Sequence, residues 1–117
     1  MQTFTGYELH HSAGFDPAGI VRACIESGHQ TLLLDRDAIP PEFFDLSTGS
    51  AGELLHRLGI YGIAMAAVVP DVTAHSRSFQ EFAMEANRGR QYRFFATREE
   101  AIRWLEREAS SEPGRAS

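Results

Sequence analysis

The feature that most constrains this 117-residue chain is an apolar run from Ile60 to Val69, broken only by Gly62. Its ten residues are too few to cross a bilayer, which takes about 20. An apolar run without polar alternation suits a strand covered on both faces. Thr31-Leu-Leu-Leu34 reads the same way. Sheets covered on both faces are commonly parallel, and parallel neighbours need long crossovers, usually helical.

The sequence supplies those crossovers. Met1 to His10, rich in Thr, Phe and Tyr, predicts a first strand. Asp16-Pro17 opens a helix, with Asp at the N-cap and Pro where a missing N–H costs nothing. Ile20, Val21, Cys24 and Ile25 follow at helical spacing, and Gly28 stops them. Ser50 with Glu53 is a capping box ahead of Leu54, Leu55 and Leu58, and Gly59 and Gly62 bracket that helix's end. Residues 62–69 form a buried strand that Pro70 ends. Phe79, Phe82, Ala83 and Ala86 line a third helix closed by Gly89, and Tyr92 to Ala96 is the last strand. Thr97 with Glu100 opens a final helix through Ile102, Trp104 and Leu105. The expectation is an α/β fold: one domain over residues 1–109, with about four mostly parallel strands and four flanking helices. Residues 110–117 read as a flexible tail.

Composition narrows the function classes. Sixteen acids against eleven bases leave a net charge of −5, which disfavours nucleic acid and anionic membrane surfaces as partners. The lone cysteine, Cys24, makes neither an intramolecular disulfide nor a zinc ribbon. No basic region followed by an apolar stretch stands at the N-terminus, so the reading is cytoplasmic. His10 and His11 are adjacent and alternate in direction if they lie in a strand; His29, His56 and His75 lack partners at metal-ligand spacing. There is no GxGxxG and no Walker motif. Neither a metal nor a cofactor is expected.

The segment richest in chemistry is Phe43-Phe44-Asp45-Leu46-Ser47-Thr48-Gly49-Ser50-Ala51-Gly52-Glu53. It places hydroxyls and glycines where a helix begins. A helix start stabilises negative charge, so Ser47, Thr48, Gly49 and Ser50 are candidates for phosphorylation or anion binding. The plainer reading is structural, with Ser50 as the cap and Gly49 serving the turn. Thr48 to Gly52 nearly matches a nucleophile elbow, with Asp71 and His75 following. A triad, however, needs these groups on separate loops of a larger sheet, so no residue is assigned as catalytic. Asn87, Arg88 and Arg90 form a second constellation that suits a carboxylate or phosphate, or simply a helix C-terminus with Gly89 in the left-handed position.

Thr31 to Asp35, then Phe44 to Gly49, then a helix and the strand Ala64 to Val69, resemble a STAS domain, the fold of bacterial anti-sigma-factor antagonists. Residues 94–105, Phe-Phe-Ala-Thr-Arg-Glu-Glu-Ala-Ile-Arg-Trp-Leu, continue the likeness. A closer resemblance is to the bacterial domain-of-unknown-function family 4180. It rests on the run Phe43 to Glu53 and on Ala86-Asn87-Arg88-Gly89-Arg90, and it covers roughly residues 17 to 106. The chain departs from that family at Pro70-Asp71, where members tend to have Gly-Asp, and in a shorter N-terminal strand. The resemblance implies a STAS-like fold and, by analogy with the antagonists, a serine or threonine at the helix start whose phosphorylation switches partner binding. Leu46 intervenes between Asp45 and the hydroxyls, and relatives often carry Arg in place of Ser47, which favours Thr48.

The first functional expectation is therefore a non-catalytic regulatory or protein-interaction module. Its partner, of unknown identity, would meet Phe43, Phe44, Asp45 and Leu46, and a homodimer would cover a sheet edge. The alternative is a sensor of a small anionic ligand or nucleotide, marked by a pocket lined by Asp35, Ser47, Thr48 and Asp71. An uncharacterised hydrolase ranks third.

Overall fold

The computed structural model describes Phe4 and residues 6–110. Parts of two expected segments, residues 1–3 and 5 of the first strand and 111–117 of the tail, lie outside the described residues. Four strands, β1 (Tyr7–Leu9), β2 (Thr31–Leu34), β3 (Ala64–Val68) and β4 (Tyr92–Phe95), make one sheet in sequential order. All neighbouring pairs are parallel, with Leu32 opposite both Tyr7 and Met65, and Phe94 opposite Ala67.

The helices are α1 (Pro17–Glu26), α2 (Pro41–Phe44), α3 (Ser50–Tyr61), α4 (Arg77–Ala86) and α5 (Arg98–Ser110). Four of these five match the expected flanking helices. The extra one, α2, is a single turn inside the connection after β2, started by Pro41 at its first position.

Sequential parallel strands joined by right-handed crossovers put every connecting helix on one face. The core follows that rule. Leu32, Leu34, Met65, Ala67 and Phe94 pack with residues of α1 to α4, while Leu33, Ala66 and Val68 face Ala101, Ile102, Trp104 and Leu105 of α5. Coverage on both faces is the physical reason why β2 and β3 read as unbroken apolar runs.

The helix ends test the capping rules residue by residue. Asp16 caps α1 as expected, its Oδ2 accepting from the Gly19 N–H at 3.2 Å. Thr97 Oγ1 accepts from the Glu100 N–H at 3.2 Å. Ser50 does not cap α3. The N-cap is Gly49, in the left-handed region at φ 80°, and Glu53 turns to Arg57 at 3.1 Å. Gly59 lies inside α3, and Gly62, at φ 65°, is its left-handed C-cap. Gly89 does not take the left-handed conformation expected for it; α4 ends instead on Asn87, whose N–H donates to the Ala83 carbonyl at 3.0 Å, while the Arg88 N–H donates to the Glu85 carbonyl at 3.1 Å.

Among the described residues, no helix is long and apolar enough to cross a membrane.

Candidate functional site

In a parallel sheet every strand points its carboxyl end the same way. The connections after β1, β2, β3 and β4 therefore share one rim, where open α/β sheets usually hold ligands. The connection after β2 carries most of the candidate residues.

Its first aromatic is not surface. Phe43 is 0% exposed and packs edge-on against Phe15, Phe44, Phe79 and Phe94. This corrects the expectation that Phe43 presents itself to a partner: the turn of α2 directs it into the core. Phe44 is half-buried, its ring stacked on His75 at 3.8 Å between centroids. Leu46 is also half-buried, and Asp45 alone of the four is exposed.

Asp45 organises the corner that follows, a tight turn over Leu46–Thr48. Its Oδ1 accepts from the Ser47 N–H at 3.1 Å and from the Ser47 hydroxyl at 2.6 Å. The hydroxyl first, and then the N–H, hold the Asp45 carboxyl below its ordinary pKa. Thr48 Oγ1 lies 2.7 Å from the Glu42 carbonyl and 2.8 Å from the Asp45 carbonyl, so its single proton bridges them. The same oxygen accepts from the Ser50 N–H at 3.3 Å. Thr48 thus takes over the task expected of Ser50.

Ser47, Thr48 and Gly49 are exposed, and Ser50 is half-buried. Two of the amides at this helix start are already occupied. Gly49 N–H donates to the Leu46 carbonyl at 3.2 Å, and the Ser50 N–H is held by Thr48. Asp71 repeats the Asp45 device after β3, accepting from the Thr73 N–H at 3.1 Å and from its hydroxyl at 2.5 Å. Asp71 lines a cleft of about 470 Å³ between α4 and β4, with Thr73, Gln80, Met84 and Asn87, but without Asp35, Ser47 or Thr48.

The second constellation is built into the fold, and its Asn87 shares the cleft lined by Asp71. Asn87 donates to the Phe94 carbonyl at 3.2 Å and accepts from the Phe94 N–H at 2.8 Å. Arg88 lies 3.7 Å from Glu85, and Arg90 lies 3.5 Å from Glu108. Arg88 and Arg90, which precede the amino end of β4, pair with these glutamates and not with the corner before α3.

Sequence reasoning misses a cluster at the carboxyl ends of β1 and β2. Glu8, His10 and Asp35 bring one ligand-type atom each to within 4.8 Å of one another. They are the described residues that could hold a metal ion between them. Arg98, at the start of α5, already lies against both carboxylates, 2.5 Å from Glu8 and 3.6 Å from Asp35. That geometry ties the outer strand to α5 by charge. No local signal points to it, because Glu8 and Arg98 stand 90 residues apart.

Exposed apolar residues were also missed. Ile60 and Tyr61 of α3 are 62% and 56% exposed, and Ile25 of α1 is 44% exposed. Here a signal exists. Gly52, His56 and Ile60 recur every four residues along the exposed line of α3, so an isoleucine stands in a polar series.

The chain matches no curated protein and no solved structure. A family model described as Domain of unknown function (DUF4180) matches residues 2–105. With the match running from the strand before α1 into α5, the chain belongs to the DUF4180 family.

Proposed function

We propose that this DUF4180 protein is a non-catalytic protein-interaction module that meets its partner through the outer side of α3. The observation that carries the reading is the pair Ile60 and Tyr61, exposed side by side on the last turn of α3. Single exposed apolar residues are ordinary, but these adjoin others. Tyr61 lines a shallow groove with Ile25, and Ile60 lines a second one with Leu55, Phe82 and Tyr92. Apolar side chains exposed at two neighbouring grooves mark candidate interaction surface.

The resemblance to STAS domains supports the same reading and adds regulation at the corner that begins α3. Both hydroxyls are hydrogen-bonded, but Ser47 donates only to the exposed Asp45 carboxylate whereas Thr48 bridges two backbone carbonyls, so Ser47 is the one a kinase would reach more readily. A phosphate on Ser47 would face Asp45, so it would act by disturbing the corner and the approach to α3. The anion-sensor alternative has less support, because the Gly49 and Ser50 amides are occupied.

The test is affinity capture with the double variant Ile60→Lys/Tyr61→Lys, checked for an unchanged circular dichroism spectrum. Species retained by the wild-type chain should be lost from the variant. An identical set of captured species on both would overturn the reading.

A further inference from the structure

Resting on that reading, we infer that the partner is a second copy of this chain, docked about a two-fold axis across the groove between α1 and α3. The groove encloses about 310 Å³ and is lined by Arg22, Ile25 and Glu26 of α1 and by Arg57 and Tyr61 of α3, among others.

Charge argues for self-association at this place. The chain carries a net charge of −5, so two copies repel across an average face. The groove lining is instead close to neutral: Arg57 is held by Glu53, and Arg22 and Glu26 offset each other. Arg22 and Glu26 are exposed and stand one turn apart on α1. Neither forms an ion pair among the described residues, whereas Glu53 with Arg57 and Arg77 with Glu81 do so at the same spacing. A two-fold axis crossing α1 between them places Arg22 against the partner's Glu26, and Glu26 against the partner's Arg22. An isologous interface uses each unpaired charge twice in this way. Ile25 lies between the two charges in sequence, with Tyr61 in the same groove, giving an apolar centre with an Arg-containing polar rim.

The sheet edges offer a copy less. β1 is three residues long, and the Phe94 backbone groups of β4 are taken by Asn87.

The experiment is sedimentation of the full chain over micromolar to high micromolar concentrations. The wild-type chain should dimerise. Arg22→Glu and Glu26→Arg should each weaken dimerisation by about tenfold or more, because each sets two like-charge pairs face to face. Mixing the two variants should restore a heterodimer, in which every contact is again opposite in sign. Misfolding cannot mimic that rescue. A wild-type chain that stays monomeric, a dimer indifferent to both substitutions, or a mixture that fails to recover would each overturn the inference. If the wild type is monomeric yet Ile60→Lys/Tyr61→Lys still loses a captured protein, the homodimer fails and the interaction reading stands. If capture is also unchanged, both fail.

Discussion

The side-chain amide of Asn87 pairs with the backbone of Phe94 as a neighbouring strand would, accepting from its N–H at 2.8 Å and donating to its carbonyl at 3.2 Å. β4 is an outer strand of the sheet, and Asn87 ends the helix packed beside it. One residue therefore closes α4 and blunts an edge that would otherwise be free to pair with another chain. Asn87→Ala should cost about 1–2 kcal/mol, since it strands a donor and an acceptor. It should also raise concentration-dependent aggregation, read by light scattering. Unchanged stability and solubility would show that the pairing contributes nothing.

The corner before α3 gives a second prediction. Thr48→Val keeps the shape of the side chain but removes the hydroxyl that bridges the Glu42 and Asp45 carbonyls and receives the Ser50 N–H. It should lose about 1 kcal/mol in urea melts, and Thr48→Ser should recover most of it. Ser50→Ala, in contrast, should stay within about 0.5 kcal/mol of the wild type.

That contrast shows where the sequence was legible. The existence and place of α3 follow from Leu54, Leu55 and Leu58 at helical spacing, all buried against the sheet. The cap does not follow, because the serine–glutamate spacing of a capping box is satisfied equally by a helix that starts at Ser50. The left-handed Gly49 moves the start forward by one residue and passes the capping task back to Thr48. The mostly parallel sheet was likewise legible in outline, since unalternated runs at Thr31–Leu34 and Ala64–Val68 demand cover on both faces. Burial of Phe43 was not, because nothing local distinguishes it from Phe44. Only the turn of α2 sends one ring inward and leaves the other against His75.

The two phenylalanines separate in a third experiment. Phe43→Ala removes a ring that meets four aromatic neighbours in the core and should cost about 3–5 kcal/mol. Phe44→Ala should cost less, because its ring is partly in solvent already. Equal losses in paired thermal melts would return Phe43 to the surface.

Arg98 yields a fourth. Its guanidinium meets the Glu8 carboxylate through both Nε, at 3.1 Å, and Nη2, at 2.5 Å. Arg98→Met keeps the apolar stem and leaves Glu8 without that charge-assisted pair. Amide exchange in Tyr7–Leu9 should then speed up, while exchange in β3 stays slow. Uniform change across both strands would mean that Arg98 supports the domain as a whole and not β1 in particular.

The last prediction concerns Asp45 and proton exchange at the corner. The Ser47 hydroxyl is the larger cause of its lowered pKa, ahead of the Ser47 N–H. A carboxyl whose folded pKa is depressed stabilises the fold fully above its unfolded pKa and loses that contribution as pH falls through the folded value. The contribution should therefore be full from neutral pH down to the ordinary aspartate value and fall away as pH drops below it through the lowered folded value. Ser47→Ala removes the hydroxyl and keeps the N–H, so the Asp45 titration, followed by carboxyl NMR, should move up towards the ordinary value without reaching it. Ser47→Asp, a stand-in for phosphoserine, should move it further up, because a second carboxylate then faces the first and disfavours its ionised form. If neither substitution moves the Asp45 titration, the hydroxyl contact is not formed in solution, and Ser47 is free for a kinase without any cost to the corner.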